Sequence, residues 1–226
     1  IKMENIKIKK IILDQPVVYA HILPSGKANW DIAKETPEEE TTDTTATEFN
    51  TKIELKRFEI IDADVTYQDD SSKMSASLKD FDFLLTGDLS KDFTKLNINT
   101  SVQFINLVME GIRYLKNASF NAKINIDADL KNSLYTLKEN EIALNDLLLR
   151  FDGAIGIPNE TDMTIDLKYG LAKADFKSLL SLVPAIYMKG FEGLQAEGKL
   201  TLDGYVKGTY NEKVMPDAAV KLLVEN

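Results

Sequence analysis

The chain has 226 residues, 44% of them hydrophobic and 28% charged, with 27 Lys and Arg against 36 Asp and Glu for a formal net charge of −9. A body of this size buries roughly 70% of the surface its unfolded chain exposes, so a core is within reach without disulfides or metals, as one large domain or two small ones. With no Cys and a single His, His21, a thiol nucleophile, a disulfide framework and a Cys/His zinc site are excluded, and the acidic balance argues against a nucleic-acid binder, which needs a basic face.

Cysteine absence fits a reducing cytosol and a disulfide-free secreted protein equally. No window holds the 18 or so consecutive apolar residues of a transmembrane helix. The sequence starts at Ile1, not Met, directly in a strand-like pattern. It therefore reads as an excerpt of a longer protein, with any signal peptide or membrane anchor lying outside it.

In chain order, residues 1–33 read as a strand pair. An apolar strand ends at Leu13, Asp14-Gln15-Pro16 makes a tight turn, and Val17 opens a second strand that carries His21 between Ala20 and Ile22. A strand histidine of this kind is more simply a hydrogen-bonded structural residue than a catalytic one. Residues 34–50, KETPEEETTDTTATEFN, hold six acidic residues, six Thr and one Lys, a net charge of −5, and Phe49 is their only large apolar side chain. Such a segment cannot offset its ordering entropy, and it reads as a flexible, solvated loop.

Residues 51–226 form the main β-domain, and their dominant period is two. Leu96, Ile98, Val102 and Phe104 share one face, opposite Asn97, Asn99, Ser101 and Gln103. Phe120, Ala122, Ile124, Ile126, Ala128 and Leu130 oppose Asn121, Lys123, Asn125, Asp127 and Asp129. Later runs are Met163, Ile165, Leu167, Tyr169, then Ala196 to Val206 in steps of two, then Ala218, Val220, Leu222, Val224. The phase slips near Lys56-Arg57 and Lys79-Asp80, as β-bulges would make it do. Turn chemistry at Pro24-Ser25-Gly26, Asp69 to Ser72, Gly87-Asp88, Lys131 to Ser133, Pro158-Asn159 and Asn211-Glu212 predicts hairpins in sequence order, hence an antiparallel meander. Phe176, Leu179, Leu180 and Val183 break the pattern with helical spacing, predicting one amphipathic helix over 175–183 and a short turn over 185–191. Leu13 to Tyr19 also echoes Ile61 to Tyr67 without gaps, which suggests a repeated unit.

The chain carries no nucleotide-loop, nucleophile-elbow, zincin or EF-hand motif, so no catalytic residue, metal ligand or cofactor is predicted. Asp127, Asp129, Asp166 and Asp203 fall on polar strand faces and keep them wet. Trp30 either caps a core or stacks on a ligand, the core being the simpler role. The informative mismatch is between many apolar strand faces and very little helix to cover them. Either the sheet folds on itself as a sandwich or barrel, or a strongly curved sheet leaves an apolar trough for a ligand.

The run Ile11 to His21 followed by Gly26-Lys27-Ala28-Asn29-Trp30-Asp31-Ile32 resembles the start of an AsmA-like domain: an apolar strand, a D-x-P turn, a second strand and a G-x-x-N-W-D motif before an acidic loop. Ile61 to Asp69, with Tyr67, and Gly204 to Tyr210 followed by Pro216 are similar to further elements of that family. The resemblance gives Pro16, Gly26, Asn29, Trp30, Asp31 and Tyr67 structural roles and supplies no catalytic residue. It implies a Gram-negative periplasmic module, tethered to the inner membrane by an N-terminal helix outside this chain. It further implies phospholipid acyl chains as partners, in support of outer-membrane biogenesis. Ile98, Val102, Phe104, Phe120, Ile124, Ile126, Met163, Ile165 and Leu167 are then the candidate groove lining. The alternative is a structural or protein-interaction β-domain of the same envelope that binds no lipid.

Overall fold

A computed structural model describes residues 8–32, 55–173, 175, 178, 179, 182, 183, 187 and 198–225. Eleven strands build one sheet: β1 (Lys10–Asp14), β2 (Val17–Ile22), β3 (Arg57–Asp69), β4 (Met74–Thr86), β5 (Phe93–Met109), β6 (Ile112–Asp129), β7 (Leu134–Leu144), β8 (Leu147–Gly156), β9 (Met163–Lys173), β10 (Lys199–Tyr210) and β11 (Asp217–Glu225). From β3 to β11 every strand pairs antiparallel with its successor, which is the expected meander. The sheet stays open, with β1 and β2 on one edge and β11 on the other. β6, at 18 residues, is about 60 Å long at roughly 3.3 Å per residue.

The expected N-terminal strand pair takes a different form. β1 and β2 do not pair with each other; both run parallel to β3, end to end along it, with Leu13 opposite Ile60 and Val18 opposite Val65. The Asp14-Gln15-Pro16 step is a kink in a chain that keeps its direction. Gln15 adopts φ 48° there and its N–H donates to the Ile61 carbonyl at 2.8 Å, while the Pro16 carbonyl accepts from Asp64 N–H at 3.0 Å. The two echoing segments thus lie side by side, each with a left-handed residue at the same level, Gln15 and Asp62 (φ 49°). The helix expected over 175–183 and the turn over 185–191 fall largely outside the described residues, as does the acidic loop 34–50. Of that region, Ser178 and Leu179 are helical, and the Ser178 N–H donates to Asp175 Oδ1.

All six predicted turn sites connect or close strands, and five of them use one device: an Asp or Asn side-chain oxygen accepts the backbone N–H two residues on, three residues on, or both. Asn159 and Asn211 do so at 2.8–2.9 Å. Asp69 accepts from the N–H groups and both hydroxyls of Ser71 and Ser72. Those bonds, the hydroxyl donors foremost, lower the Asp69 pKa to about 2. The folded value lies below the ordinary ~3.9 of a free Asp, so the turn's contribution is present above that value and is lost as pH falls toward 2. A carboxyl NMR titration is expected to place the Asp69 midpoint near 2 and, in a Ser71→Ala/Ser72→Ala variant, to move it back toward ~3.9. An unmoved midpoint would contradict this account of the turn.

Bulges bend the long strands. Register shifts place one extra residue at Ile61-Asp62 in β3, Lys79-Asp80 in β4, Gln103-Phe104 in β5, Lys116-Asn117 in β6 and Lys138-Glu139 in β7. The predicted slip at Lys79-Asp80 is one of these; that at Lys56-Arg57 is the start of β3, whose bulge lies four residues later. Asp62, Asp80, Asn117 and Glu139 take φ of 49–54°. A bulge leaves a backbone N–H off the ladder, and a neighbouring Asx side chain supplies the acceptor. Asp62 N–H donates to Asp82 Oδ1 (3.0 Å), Asn117 N–H to Asn106 Oδ1 (3.1 Å), Asn125 N–H to Asn140 Oδ1 (2.6 Å) and Glu139 N–H to Asp152 Oδ1. Extra residues increase local twist and bend the strand, so the bulges in β3 to β7 curve the sheet.

Candidate functional site

Cross-strand partners share a face, so the register extends the sequence alternation over the whole sheet. One rank reads Leu13, Ile60, Phe83, Thr100, Ala122, Ile142, Leu149, Leu171 from β1 through β9. A second reads Ile126, Leu137, Gly153, Leu167, Val206, Ala218 from β6 through β11. The apolar face therefore crosses the sheet from edge to edge. Tyr169 lies on it too, its ring over Gly204, where a Cβ would meet Tyr169 Cζ at 2.5 Å; the glycine is what lets the ring lie flat.

Of the candidate lining, Ile98 pairs with Ile124, Leu96 with Ile126 and Val102 with Phe120, while Met163, Ile165 and Leu167 continue the same face on β9. Phe104 stands apart. Its bulge pairs it with Lys79 on the opposite face, and it is 43% exposed. Alternation alone gave Phe104 the parity of Val102, and the adjacent Ile105, which holds the apolar position beside Leu78, concealed the slip.

No second layer of strands lies on this face. Every strand pair in substantial contact is a hydrogen-bonded pair of neighbours, which excludes a sandwich among the described residues. Among the described residues the strictly buried apolar side chains are few: Ala63, Val102, Ala118, Ala128, Leu137 and Leu200. Ile98, Ile124, Ile126, Phe120, Ile165 and Leu167 are half-buried, shielded by their neighbours along and across strands. Between β9 and β10, Leu182 and Val183 reach the β5–β6 hairpin and, with Val108, Tyr114 and Leu115 and the polar Arg113, Lys116 and Asn145, line a half-open pocket of about 600 Å³. A hydrogen bond with Tyr187 raises the Tyr114 pKa.

Among the described residues, one fully buried polar side chain occupies the apolar face. Asn140, opposite Phe151, is 0% exposed; its Oδ1 serves the Asn125 N–H and its Nδ2 has no partner. It sits at the apolar parity set by Ile142, so a polar residue in apolar phase beside a slip was the available sequence signal.

The other face is wet and charge-paired. Two shallow depressions of about 680 and 710 Å³ lie on it, one reaching from Glu59 to Leu148 and one around Tyr205. Three of their carboxylates are matched to cations: Glu59 to Arg57 at 2.6 Å, Glu141 to Arg150 at 2.8 Å and Asp166 to Lys207 at 2.8 Å. Arg57 holds the Glu59 pKa below its ordinary value, and Lys138 does the same to Asp127. Depressed carboxylates remain ionised at neutral pH, the reverse of what a general acid needs.

The N-terminal motif is a strand clamp. The Asn29 side chain takes the His21 N–H on Oδ1 (3.0 Å) and donates Nδ2 to the Tyr19 carbonyl (2.8 Å), and its backbone N–H donates to the His21 carbonyl (2.9 Å). Asp31 Oδ2 accepts from Ala28 N–H, and Gly26 takes φ 82° in the turn. Trp30 caps no core; it is 49% exposed. His21 Nε2 meets Asp70 Oδ2 at 2.8 Å and its ring rests against Tyr19, the hydrogen-bonded structural arrangement expected of it. Tyr67 pairs with Ala20 and Ala76 on the apolar face. Among the described residues, no group of three or more potential ligand side chains is placed to hold a metal ion. Comparison with family models, with curated proteins and with solved structures found no match to this chain.

Proposed function

We propose that the chain is a lipid-handling module whose apolar sheet face carries the acyl chains of phospholipid. The observation that carries this reading is a continuous apolar face, edge to edge across eleven strands, with no second sheet packed against it among the described residues. An apolar surface of this extent without a second layer of strands over it is disfavoured in water and favours an apolar occupant. Each methylene transferred onto it gains about 0.8 kcal/mol, so six to eight give roughly 5 to 6 kcal/mol before ordering costs. That magnitude suits transient carriage, in which the chain is held and passed on. The polar back face, with its paired charges, keeps the module hydrated. Together with the AsmA-like N-terminal motif, this points to a periplasmic setting, an inner-membrane tether outside the chain and a role in building the outer membrane.

A photo-crosslinking residue at Ile124, on the apolar face, is expected to capture phospholipid in a Gram-negative host, and one at Asn99, exposed on the back face, to capture none. Ile124→Asp, which sets a carboxylate against hydrocarbon, should abolish co-purifying lipid while circular dichroism still reports the folded sheet. Lipid capture at neither position, or equally at both, would sink the proposal.

A further inference from the structure

On the polar face, Tyr205 stands at the centre of an ordered lattice. β9 presents Asp166, Lys168 and Gly170 there, β10 presents Lys207, Tyr205 and Asp203, and β11 presents Asp217, Ala219 and Lys221. The register sets Lys168 directly beside Tyr205 on one side and Ala219 on the other. With ~4.8 Å between strands and ~6.7 Å between alternate residues, the lattice measures roughly 10 Å by 13 Å. The depression over it, of about 710 Å³, falls within the ~300–1,000 Å³ of small-molecule sites.

Two small residues open that depression. Ala219 leaves the Tyr205 ring without a bulky neighbour on the β11 side. Gly170 makes room for Asp203, whose Oδ1 lies 2.7 Å from where a Gly170 Cβ would stand, so the carboxylate leans over β9. The rank between Tyr205 and Asp203 is Tyr169, Gly204 and Val220, which belong to the other face, so their backbone forms the floor. Tyr205 itself is 43% exposed.

Each of the three carboxylates stands opposite a lysine across a strand pair: Asp166 and Asp217 flank Lys207, and Asp203 faces Lys221. Such a surface selects no net charge, because an anion meets the carboxylates and a cation meets the ammonium groups. It offers instead an apolar π face at the centre and, around it, acceptors and donors in equal number. A pyranose has the matching layout, with C–H groups over one face of its ring and hydroxyls, each both donor and acceptor, around the perimeter.

We propose that this lattice is a carbohydrate site: a neutral pyranose stacks its C–H face on Tyr205 while its hydroxyls bond Asp203, Lys221 and Lys168. The site lies on the face opposite the acyl-chain surface and does not rest on the lipid reading. All its groups stand on the face of the sheet, so it is indifferent to what adjoins β11.

Saturation-transfer NMR of the chain with cellobiose, maltose and diacetylchitobiose tests this. At least one of these sugars is expected to take saturation, strongest on the C–H protons of one ring face, with a Kd on the order of 1–10 mM, as suits an open, solvated site. Sorbitol, a polyol without a ring face, should take none. Tyr205→Ala should weaken binding by about tenfold or more and Tyr205→Phe by less than about twofold, since the ring stacks and its hydroxyl does not. Ala219→Ile, which fills the depression and leaves Tyr205 in place, should weaken binding as strongly as Tyr205→Ala. Both positions are exposed, and circular dichroism should report an unchanged sheet in every variant. Silence of all three sugars, equal saturation of sorbitol, a Tyr205→Phe variant as weak as Tyr205→Ala, or binding that survives either Tyr205→Ala or Ala219→Ile would each overturn the proposal.

Discussion

Replacing Gly153 with Ala is expected to lower stability by about 3 kcal/mol or more, whereas Gly26→Ala should cost about 1 kcal/mol. Both glycines have positive φ, +148° and +82°, so both variants carry backbone strain. They differ in surroundings. A Cβ at Gly26 meets nothing within 4 Å; at Gly153 it would lie 2.0 Å from the Asp166 carbonyl oxygen and 2.9 Å from Leu167 Cα. Those atoms are backbone of the adjacent strand β9, and they can retreat only if the β8–β9 ladder opens. Gly153 also faces Leu137 on its other side, so the disturbance reaches the centre of the sheet. At about 2–4 °C per kcal/mol for a domain of this size, thermal melts followed by circular dichroism should separate the two variants by several degrees. Equal melting temperatures would show that close strand approach at Gly153 is not what fixes its identity.

Asn140→Asp is the second change with a large expected effect, and its size should depend on pH. The substitution keeps the shape and the oxygen that accepts the Asn125 N–H, but it places a carboxyl at a position with 0% exposure. Burial favours the neutral form and raises the folded pKa above the unfolded value of ~3.9, with one N–H donor offsetting little of this. A raised folded pKa means that unfolding releases a proton. The variant should therefore stand near the parent at pH 4 and lose ground steadily as pH rises, by about 3 kcal/mol at pH 7.5. Denaturant titrations at both pH values measure this directly. A deficit that is the same at pH 4 and 7.5 would mean that the side chain is reached by water.

The long strands were legible because their alternation survives for eight or more residues at a stretch, as in Phe120 to Leu130. Six turns were legible from Asx, Gly and Pro chemistry. Two tight hairpins, Glu110-Gly111 and Asn145-Asp146, were not, because a two-residue connection adds too few polar residues to stand out from the polar positions of the flanking strands. The parallel docking of β1 and β2 on β3 was hidden for another reason: it is set by contacts 47 residues apart, whereas local pattern reports only on neighbours. At the site, eight of nine lining residues fall on one continuous face because parity propagates across a ladder. Phe104 does not, since two consecutive apolar residues leave a bulge without a sequence mark. Asn140 was missed because one polar side chain in an apolar phase looks like noise until its burial is known.

A sheet in which each strand touches only the strand beside it has no centre. A globular core ties every element to a common interior, so inserting a hairpin there means redesigning the whole; here a hairpin added between two others would meet the same two kinds of neighbour that every interior strand already meets. Its cohesion is a sum of local terms, as in solenoids. The length of such a molecule is then free to vary in steps of two strands, and evolution could lengthen it or shorten it to span a given distance without altering what any single residue does.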